Sequence, residues 1–428
     1  MLSYELHRMT RTELQAVLRR EGMDLSKAMD DVAPVIRDVK NDGDSALLRY
    51  AEKLDGFRGR RLTLTRREMS SATSRVPKEL LDAIAFAKKR IEAFHSRQVL
   101  KPFSLHDSIG TVGQKVVPLS RVGVYVPGGT ADYVSTVLMA CIPAMIAGVK
   151  EIAICTPGRG GSVPDSVLAA AQMCGVDEIH PVGGPQSIAA MAYGTESVRK
   201  VQKIVGPGGR YVSAAKLLVR NDCEIDFLAG PSEILIIADA QADPEMIAAD
   251  MLAQLEHDPF ARAVLLTDSK GVAERARKEL EWQLAKASRC EIAAKAADKG
   301  AVFVIVRSVA EAVELSNEFA PEHLLLDVKE PTELLSRIEN AGSVFLGSYS
   351  SVAFGDYCTG TNHILPTRGA AMMKSSLTVY DFLKVIPYQR ISEKGAVRLA
   401  GIVEVMARHE GLPAHAEAAS VRARRLRT

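Results

Sequence analysis

Apolar residues in the first hundred positions recur at the spacing of one face of an α-helix. They occupy one side of the run 32–39, and Gly43 is expected to stop this helix. Asp44 can cap a following helix that carries apolar residues over 47–54 and ends before Gly56. The amino-terminal region is therefore predicted to be helical.

The pattern changes at about Arg121, where short β-rich runs end in Gly or Pro and alternate with helical stretches. We predict strands at 122–126, 151–155, 179–182, 203–205, 234–238, 263–267, 302–306, 324–328 and 343–346. Strands alternating with helices indicate doubly wound parallel sheets, and their number predicts two α/β sheet units. After about residue 377 the chain is predicted to be helical again, as a small separate unit.

Composition and charge narrow the class of protein. A chain of 428 residues predicts two to four domains, and 47% apolar residues supply a core. Lys and Arg number 54 against 52 Asp and Glu, so no general attraction to nucleic acid or membrane is expected. The start lacks a signal-peptide pattern, and the apolar stretch 134–149 is broken by Pro143 and Gly148. Six dispersed cysteines without a Cys-x-x-Cys pair are expected to be free thiols, which fits a reducing cytoplasm.

Three Gly-Pro clusters stand at predicted strand ends, at 126–129, 182–186 and 206–209. Backbone amides at such turns, followed by a helix, can cradle phosphate. The alternative interpretation is that glycine merely allows a tight turn. Three clusters in one α/β unit favour a nucleotide site. The Gly-x-Gly-x-x-Gly fingerprint is absent, since the run 158–161 lacks its third glycine, so a dinucleotide would bind in a non-standard way.

Four short polar motifs lie in the second half of the chain, at 254–257, 320–323, 355–357 and 409–415. They offer a Gln, several His and an Asp that can bind a divalent metal, and an adjacent Glu-His pair that can move protons. Together they indicate a metal-assisted enzyme with separate acid and base groups.

Each motif alone has a plainer interpretation. Gln254 and His257 share a helix face but are compatible with ordinary packing. The Glu-His motif is compatible with a loop that holds a hydrogen-bonded His. His409 and His415 are six residues apart across Pro413, so they should not be two ligands of one helical site.

Taken jointly, these segments resemble the histidinol dehydrogenase family. The matching blocks, in order, are 124–129, 182–186, 192–195, 204–208, 229–233, 254–257, 320–323, 355–357, 360–363 and 365–367. The resemblance implies an aldehyde-dehydrogenase-like, Rossmann-like fold. It also implies oxidation of L-histidinol through L-histidinal to L-histidine with two NAD, the last steps of histidine biosynthesis.

The resemblance also implies residue roles. Glu322 and His323 would be the catalytic proton-transfer pair. His323 would take the hydroxyl proton, and Glu322 would activate water that adds to the bound aldehyde. One zinc ion per subunit would be held by Gln254, His257, Asp356 and His415. The substrate would be bound by Ser232, Gln254, His257, His323, Asp356, Glu410 and His415. NAD would be bound at Tyr125, Gln186 and Gly209.

The family is a homodimer whose tail reaches the partner's active site, so Glu410 and His415 are expected to complete a shared site. Residues 1–120 and 233–376 are predicted to form the domain that holds the metal and the catalytic pair. Residues 121–232 are predicted to form the NAD domain, and 377–428 a helical tail exchanged across the dimer.

Three positions depart from the family pattern. Gly209 replaces the usual Asn and removes one expected NAD contact. Val134 replaces Pro within the usual Tyr-Pro-Ser, and Leu255 replaces Ala beside the metal-binding face. None of these changes removes a catalytic group.

Three rival functions remain open. The first is a related zinc and NAD dehydrogenase of another small polar alcohol, such as a sulfonated diol. The second is an aldehyde dehydrogenase, which would need Cys223 or Cys358 as its nucleophile. The third is a non-catalytic binding protein of the same fold.

Overall fold

The computed structural model describes residues 1–18, 20, 24–59, 61–128, 131–158, 162–176 and 178–426. The chain divides into two compact units. The first comprises Met1–Gln98 and Ser120–Asp381, and the second comprises Val99–Leu119 and Phe382–Thr428. Within the described ranges, no helix is both long and apolar enough to cross a membrane.

Strands and helices are numbered in chain order. The strands are β1 (Leu2–Glu5), β2 (Phe103–His106), β3 (Gly110–Pro118), β4 (Arg121–Tyr125), β5 (Glu151–Cys155), β6 (Glu178–His180), β7 (Lys203–Val205), β8 (Glu224–Ile225), β9 (Glu233–Ala238), β10 (Arg262–Thr267), β11 (Ala301–Ile305), β12 (His323–Asp327), β13 (Ser343–Leu346) and β14 (Leu383–Ile391). The helices are α1 (Arg11–Leu18), α2 (Ser26–Asp55), α3 (Arg66–Thr73), α4 (Lys78–His95), α5 (Val134–Ala147), α6 (Asp165–Met173), α7 (Gly184–Tyr193), α8 (Arg210–Val219), α9 (Pro244–Leu255), α10 (Lys270–Lys286), α11 (Cys290–Gly300), α12 (Val309–Phe319), α13 (Pro331–Leu334), α14 (Val352–Tyr357), α15 (Glu393–His409) and α16 (Pro413–Arg425).

The first unit contains two parallel sheets, which confirms the predicted fold class. One sheet has six strands in the order β1-β11-β10-β9-β12-β13, and the other has five in the order β6-β5-β4-β7-β8. Every strand pair in both sheets is parallel. The predicted strands at 122–126 and 234–238, for example, correspond to β4 and β9 within one residue at each end.

Buried apolar side chains cover both faces of the six-stranded sheet, which explains why its central strands are continuous apolar runs. Ile234 and Ile236 of β9 join one core cluster, and Leu235 and Ile237 join the other. The alternation along one strand separates the two clusters because successive side chains point to opposite faces.

Gly43 divides α2 into two helical segments, at the position where the sequence predicts the first helix to stop. Its non-helical backbone (φ 55°, ψ −132°) forms the kink between them. The amide of Asp44 donates to the Glu196 carboxylate at 2.8 Å, and the Asp44 carboxylate accepts from the Ser197 amide. Asp44 therefore ties the kink to the loop after α7 through long-range hydrogen bonds.

The second unit is built on an antiparallel sheet of three strands in the order β14-β3-β2. The tail, predicted to be helical, thus also contributes the nine-residue strand β14, which pairs along its length with β3. Its helices α15 and α16 pack on each other and are joined by a turn in which Gly411 has φ 75°. The predicted boundaries of the three domains stay a prediction.

Candidate active site

A cavity of about 1620 Å³ lies in the first unit, between edges of the two parallel sheets. The loop after β7 lines it with Pro207, Gly208 and Gly209, at the carboxyl edge of the five-stranded sheet. The six-stranded sheet meets the cavity at its amino edge, where Ser232 precedes β9 and Glu322 precedes β12. Parallel α/β sheets usually bind ligands at the carboxyl edge of their strands. The five-stranded sheet follows this rule, whereas the six-stranded sheet lines the cavity with its amino edge.

The adjacent acid and imidazole, Glu322 and His323, are both buried on the cavity wall. Glu322 Oε2 accepts a hydrogen bond from the backbone amide of Glu233 at 2.8 Å. His323 Nδ1 donates to the carbonyl oxygen of Glu233 at 3.1 Å. Because a carbonyl oxygen can only accept, Nδ1 carries a proton, and Nε2 is a buried nitrogen without a hydrogen-bond partner among the described residues.

Burial and neighbouring charges bring the two groups into the range where each can hold or release a proton near neutral pH. Burial raises the pKa of Glu322 to about 8, against the opposing effect of His323. Burial lowers the pKa of His323, but the charges of Glu322 and Asp356 outweigh it and raise that pKa to about 9. With Nδ1 of His323 3.8 Å from Glu322 Oε2, the two titrate as a coupled pair.

Asp356, in α14, is an ionised carboxylate surrounded by imidazoles. Burial raises its pKa, but His323, His363 and His257 together hold the pKa below its ordinary value. His323 Nε2 lies 3.5 Å from Asp356 Oδ1, and His363 Nδ1 donates to the Asp356 carbonyl oxygen at 2.7 Å. The surrounding protein lowers the pKa of His257 and of His363, so both are neutral imidazoles able to bind a metal.

Gln254 lies in α9 and is buried, and its Nε2 has no hydrogen-bond partner among the described residues. A buried amide without a partner is costly, and a flip of the amide would present its oxygen to the same place as an acceptor or metal ligand. The described residues contain no group of three or more His, Cys, Asp and Glu arranged to hold a metal. The donors that fit such an ion in this unit are the amide of Gln254, the imidazole of His257 and the carboxylate of Asp356, a set of N and O ligands that suits zinc.

Glu410 and His415, the predicted contributions of the tail, lie in the second unit. Glu410 follows α15 directly, and His415 is in the first turn of α16. Both are exposed. His409 and His415 are on different helices, as the argument from Pro413 requires.

The predicted NAD contacts fall into two groups. Gly209 lines the cavity at the start of α8, with no atom within 4 Å of the position where a Cβ would stand. Tyr125 and Gln186 are buried, and Gln186 donates from Nε2 to Asp55 Oδ2 at 3.0 Å while its Oε1 has no partner. The same Asp55 oxygen accepts from the amide of Gly183 at 2.9 Å, so a carboxylate of the protein caps the start of α7.

The first glycine cluster extends beyond what the structure describes, because Gly129 lies outside the described residues, as does the run 159–161. In the third cluster, Gly206 has φ 115°, and a Cβ there would stand 2.1 Å from the carbonyl oxygen of Tyr125. Only glycine fits at that position, so the cluster has at least one purely steric role.

Sequence reasoning assigned no role to Glu233, His363 or Arg20. Glu233 carries both hydrogen bonds that hold the acid-imidazole pair. His363 is part of the block 360–363 and lines the cavity. Arg20 forms an ion pair with Glu233, at 2.6 Å between Nε and Oε2. Glu233 and His363 could have been noticed only as polar residues inside matching blocks. No local pattern in the sequence marks Arg20.

All six cysteines are free, with Cys141, Cys155, Cys174 and Cys223 buried. Burial raises the pKa of Cys223 to about 12. A thiol with so high a pKa is not a thiolate at neutral pH, so Cys223 is not a competent nucleophile. Cys358 is partly exposed.

The family model described as histidinol dehydrogenase matches residues 18–423. The histidinol dehydrogenase of Methanopyrus kandleri is 46% identical over 422 residues, covering 96% of this chain and 97% of the relative. That of Methanosarcina barkeri is 45% identical over 426 residues, covering 99% of this chain and 98% of the relative.

Among solved structures, the crystal structure of histidinol dehydrogenase from Elizabethkingia anophelis superimposes with a TM-score of 0.96 at 36% sequence identity. The match covers 100% of this chain and 99% of that one. Similarity therefore extends over both units of the chain.

Proposed function

The chain belongs to the histidinol dehydrogenase family of NAD-dependent oxidoreductases, and from that premise we propose that it oxidises L-histidinol through L-histidinal to L-histidine, using two NAD and one zinc ion per subunit. The observation that carries the proposal is the buried Glu322–His323 pair, held by Glu233 on the wall of the cavity. Such a pair supplies the proton transfers that both oxidation steps need.

In the first step, His323 takes the hydroxyl proton of histidinol while the carbinol carbon gives a hydride to NAD. The product is histidinal and NADH. In the second step, Glu322 takes a proton from water as the water oxygen adds to the aldehyde carbon. The resulting hydrate anion gives a second hydride to a second NAD, and the carboxylic acid so formed loses a proton to leave the carboxylate of histidine. Both proton-accepting groups have a raised pKa, about 8 for Glu322 and about 9 for His323, so their unprotonated forms are stronger bases than ordinary side chains of these types.

Zinc would be held by Gln254, His257 and Asp356 together with His415 of the tail. When bound, it supplies a positive charge that binds the imidazole and amine of the substrate and orients the carbinol. The unpartnered amide of Gln254 and the neutral imidazole of His257 support this assignment. Ser232 and Glu410 would complete the contacts with substrate.

The proposed dimeric state and cellular location are inferred from the family. We propose a cytoplasmic homodimer in which Glu410 and His415 serve the partner's site. Their exposed positions in the second unit leave their side chains accessible to another surface. Free cysteines throughout are compatible with a reducing compartment.

The test is to count NADH formed per L-histidinol consumed by zinc-loaded protein. Two NADH per histidinol, abolished by a chelator and restored by zinc, are expected. Folded, zinc-containing protein that forms no NADH would contradict the proposal. A screen of small diols and amino alcohols, including sulfonated diols, would then identify a related alcohol as the substrate.

A further inference from the structure

Arg20 makes an ion pair that reaches from the amino-terminal segment to the edge of the cavity. Its Nε donates to Glu233 Oε2 at 2.6 Å and its Nη2 to Oε1 at 2.8 Å. Nη2 also donates to the carbonyl oxygens of Phe319 and Ala320, and the guanidinium lies 3.8 Å from the centre of the Phe319 ring. The side chain of Arg20 is 18% exposed and that of Glu233 only 2%. A two-point, buried contact of this kind fixes orientation as well as position.

Glu233 links the ion pair with Arg20 to the catalytic pair Glu322 and His323. Its carboxylate is held by Arg20 and by the amide of Arg368, at 3.2 Å from Oε1. Its backbone amide holds Glu322 Oε2, and its carbonyl oxygen holds His323 Nδ1. The same residue is thus fixed through its side chain and fixes both catalytic groups through its main chain.

Two residues with a strained backbone contact the Arg20–Glu233 ion pair. Among the described residues, the non-glycine residues with positive φ are Ala320 (φ 50°) and Arg368 (φ 59°). The carbonyl oxygen of Ala320 accepts from Arg20, and the amide of Arg368 donates to Glu233. Such conformations persist only where surrounding contacts enforce them, and they cluster at functional sites. Ala320 lies two residues before Glu322, so its conformation sets how the chain enters the motif.

We propose that the Arg20–Glu233 ion pair positions the catalytic pair Glu322–His323, with Arg20 acting from outside the reaction. The inference rests on the proposed function, because it assigns those two residues the proton transfers. Arg20 is a positioning residue: its Nε and Nη2 are engaged by protein oxygens. Its loss releases the buried Glu233 carboxylate and the Ala320 turn together, and the acid and base then lose their common support.

The kinetic test compares Arg20→Ala with wild type and with Arg75→Met. Arg75 is a matched control because it makes a bidentate ion pair with Asp165 on α6, away from the cavity. In Arg20→Ala, kcat is expected to fall roughly 10- to 100-fold, with KM for NAD unchanged, because small displacements of catalytic groups have effects of that size. Added guanidinium at low, non-denaturing concentration should restore part of kcat, and Arg20→Lys should retain part of it.

Two kinetic outcomes would overturn the inference. One is an Arg20→Ala enzyme with wild-type kcat. The other is a raised KM for histidinol at unchanged kcat, which would make Arg20 a substrate-binding residue. A fall in kcat that guanidinium does not restore, accompanied by a lowered Tm, would also count against positioning.

A readout that does not require turnover separates this inference from the proposed function. The Nδ1 proton of His323, hydrogen-bonded to Glu233, should give a downfield proton resonance that is assigned by its loss in His323→Gln. It should shift or broaden in Arg20→Ala and stay in place in Arg75→Met. An unmoved resonance would overturn the positioning role even if the protein proved inactive on histidinol, whereas inactive wild type with the expected shift would overturn only the proposed function.

Discussion

The protonation state of one buried carboxyl group decides what the site can do. Among the described residues, the ion-pair partner of Glu322 is the adjacent His323, and burial raises the pKa of Glu322 to about 8. Once it has lost its proton, such a carboxylate is a stronger base than an exposed one. A general base acting on water is most efficient when its pKa lies near the working pH.

Replacing Glu322 by Gln tests that role with almost no change in shape. The amide oxygen can still accept from the Glu233 amide, so the fold and Tm should be preserved, but the side chain can no longer take a proton. We expect kcat for complete oxidation to fall about 100- to 10,000-fold, measured as NADH formation from histidinol. Cys358→Ser is the control and should keep full activity. Wild-type turnover by Glu322→Gln would instead assign the base to another group.

Gly209 is the residue at which this chain is predicted to depart from the family pattern on the proposed NAD side. It precedes α8 with an ordinary backbone (φ −66°), and the position of a Cβ is open. Gly209→Asn should therefore fit without strain and should lower KM for NAD by about 2- to 10-fold, the value of one added hydrogen bond. Gly209→Ala fills the same space without an amide and should leave KM for NAD near that of wild type. Equal effects of the two substitutions would rule out an amide contact.

The sequence could identify candidate catalytic residues that lie in recognisable motifs. It could not identify residues such as Arg20 that position other residues. Glu322, His323, Asp356 and His257, which lie in such motifs, line one cavity. Arg20 is separated from Glu233 by more than two hundred positions, and no local pattern marks it. Its role depends on the tertiary fold, which brings together segments that a single sequence does not relate.

At the scale of elements, strands were predictable where they are buried on both faces. β4 and β9 are buried throughout and carry no charged residue after Arg121 and Glu233 at their starts, and this composition alone indicates a strand. β14 and β2 are mostly exposed, and the sequence pattern predicts a helical tail where β14 lies. Its place is set by pairing with β3, so propensity alone could not reveal it.

A network of charges joins the starting ends of three neighbouring strands of the five-stranded sheet. Arg121 opens β4 and donates to Glu178 at the start of β6 and to Glu151 at the start of β5. Glu178 also lies 3.1 Å from His180 Nε2. This edge is opposite to the one that lines the cavity, so its contribution is to stability.

The pH dependence of stability should reveal this network through Glu178. Burial raises the pKa of Glu178, but hydrogen bonds from His180 and Arg121 outweigh it and hold the pKa far below the ordinary value. A lowered folded-state pKa gives stability that is present above the unfolded-state pKa of about 4.3 and is lost as pH falls toward the folded-state value. Glu178→Gln should lower the free energy of unfolding by roughly 2 kcal/mol at pH 7.

The difference between wild type and Glu178→Gln should shrink as pH falls below about 5, as measured by urea unfolding at a series of pH values. Glu151→Gln is the control, because Glu151 shares the partner Arg121 but is 44% exposed. Its effect should stay below about 1 kcal/mol at every pH. A difference for Glu178→Gln that does not change between pH 7 and pH 4 would contradict the assigned pKa.

At the scale of the whole molecule, the two parallel sheets present opposite edges to one cavity. Loops after strands of the five-stranded sheet face residues that precede strands of the six-stranded sheet. Loops that contain glycine thus stand on one side, where in our proposal NAD would have to bind and leave twice. Buried, hydrogen-bonded acid and base groups stand on the other, where the intermediate aldehyde would have to be retained. This division matches the two-step oxidation that we propose.

The proposed sharing of the site between subunits can be tested by combining two inactive proteins. Glu322→Gln removes the base from the first unit, and His415→Ala removes the proposed ligand from the second. If the tail serves the partner, a mixed dimer contains one site with both defects and one intact site. Random reassortment of equal amounts, by unfolding and refolding together, should then recover about a quarter of wild-type activity, because half of the dimers are mixed and each has one working site of two.

If each tail serves its own chain, every site in the same mixture carries one defect, and activity should stay at the level of the separate variants. Glu322→Gln mixed with His323→Gln is the control, since both defects lie in the first unit and no exchange of tails can restore a site. Recovered activity in that control would show that reassortment regenerates activity by another route. Recovery only in the mixture with His415→Ala would place the acid-base pair and the tail ligand of each working site on different chains.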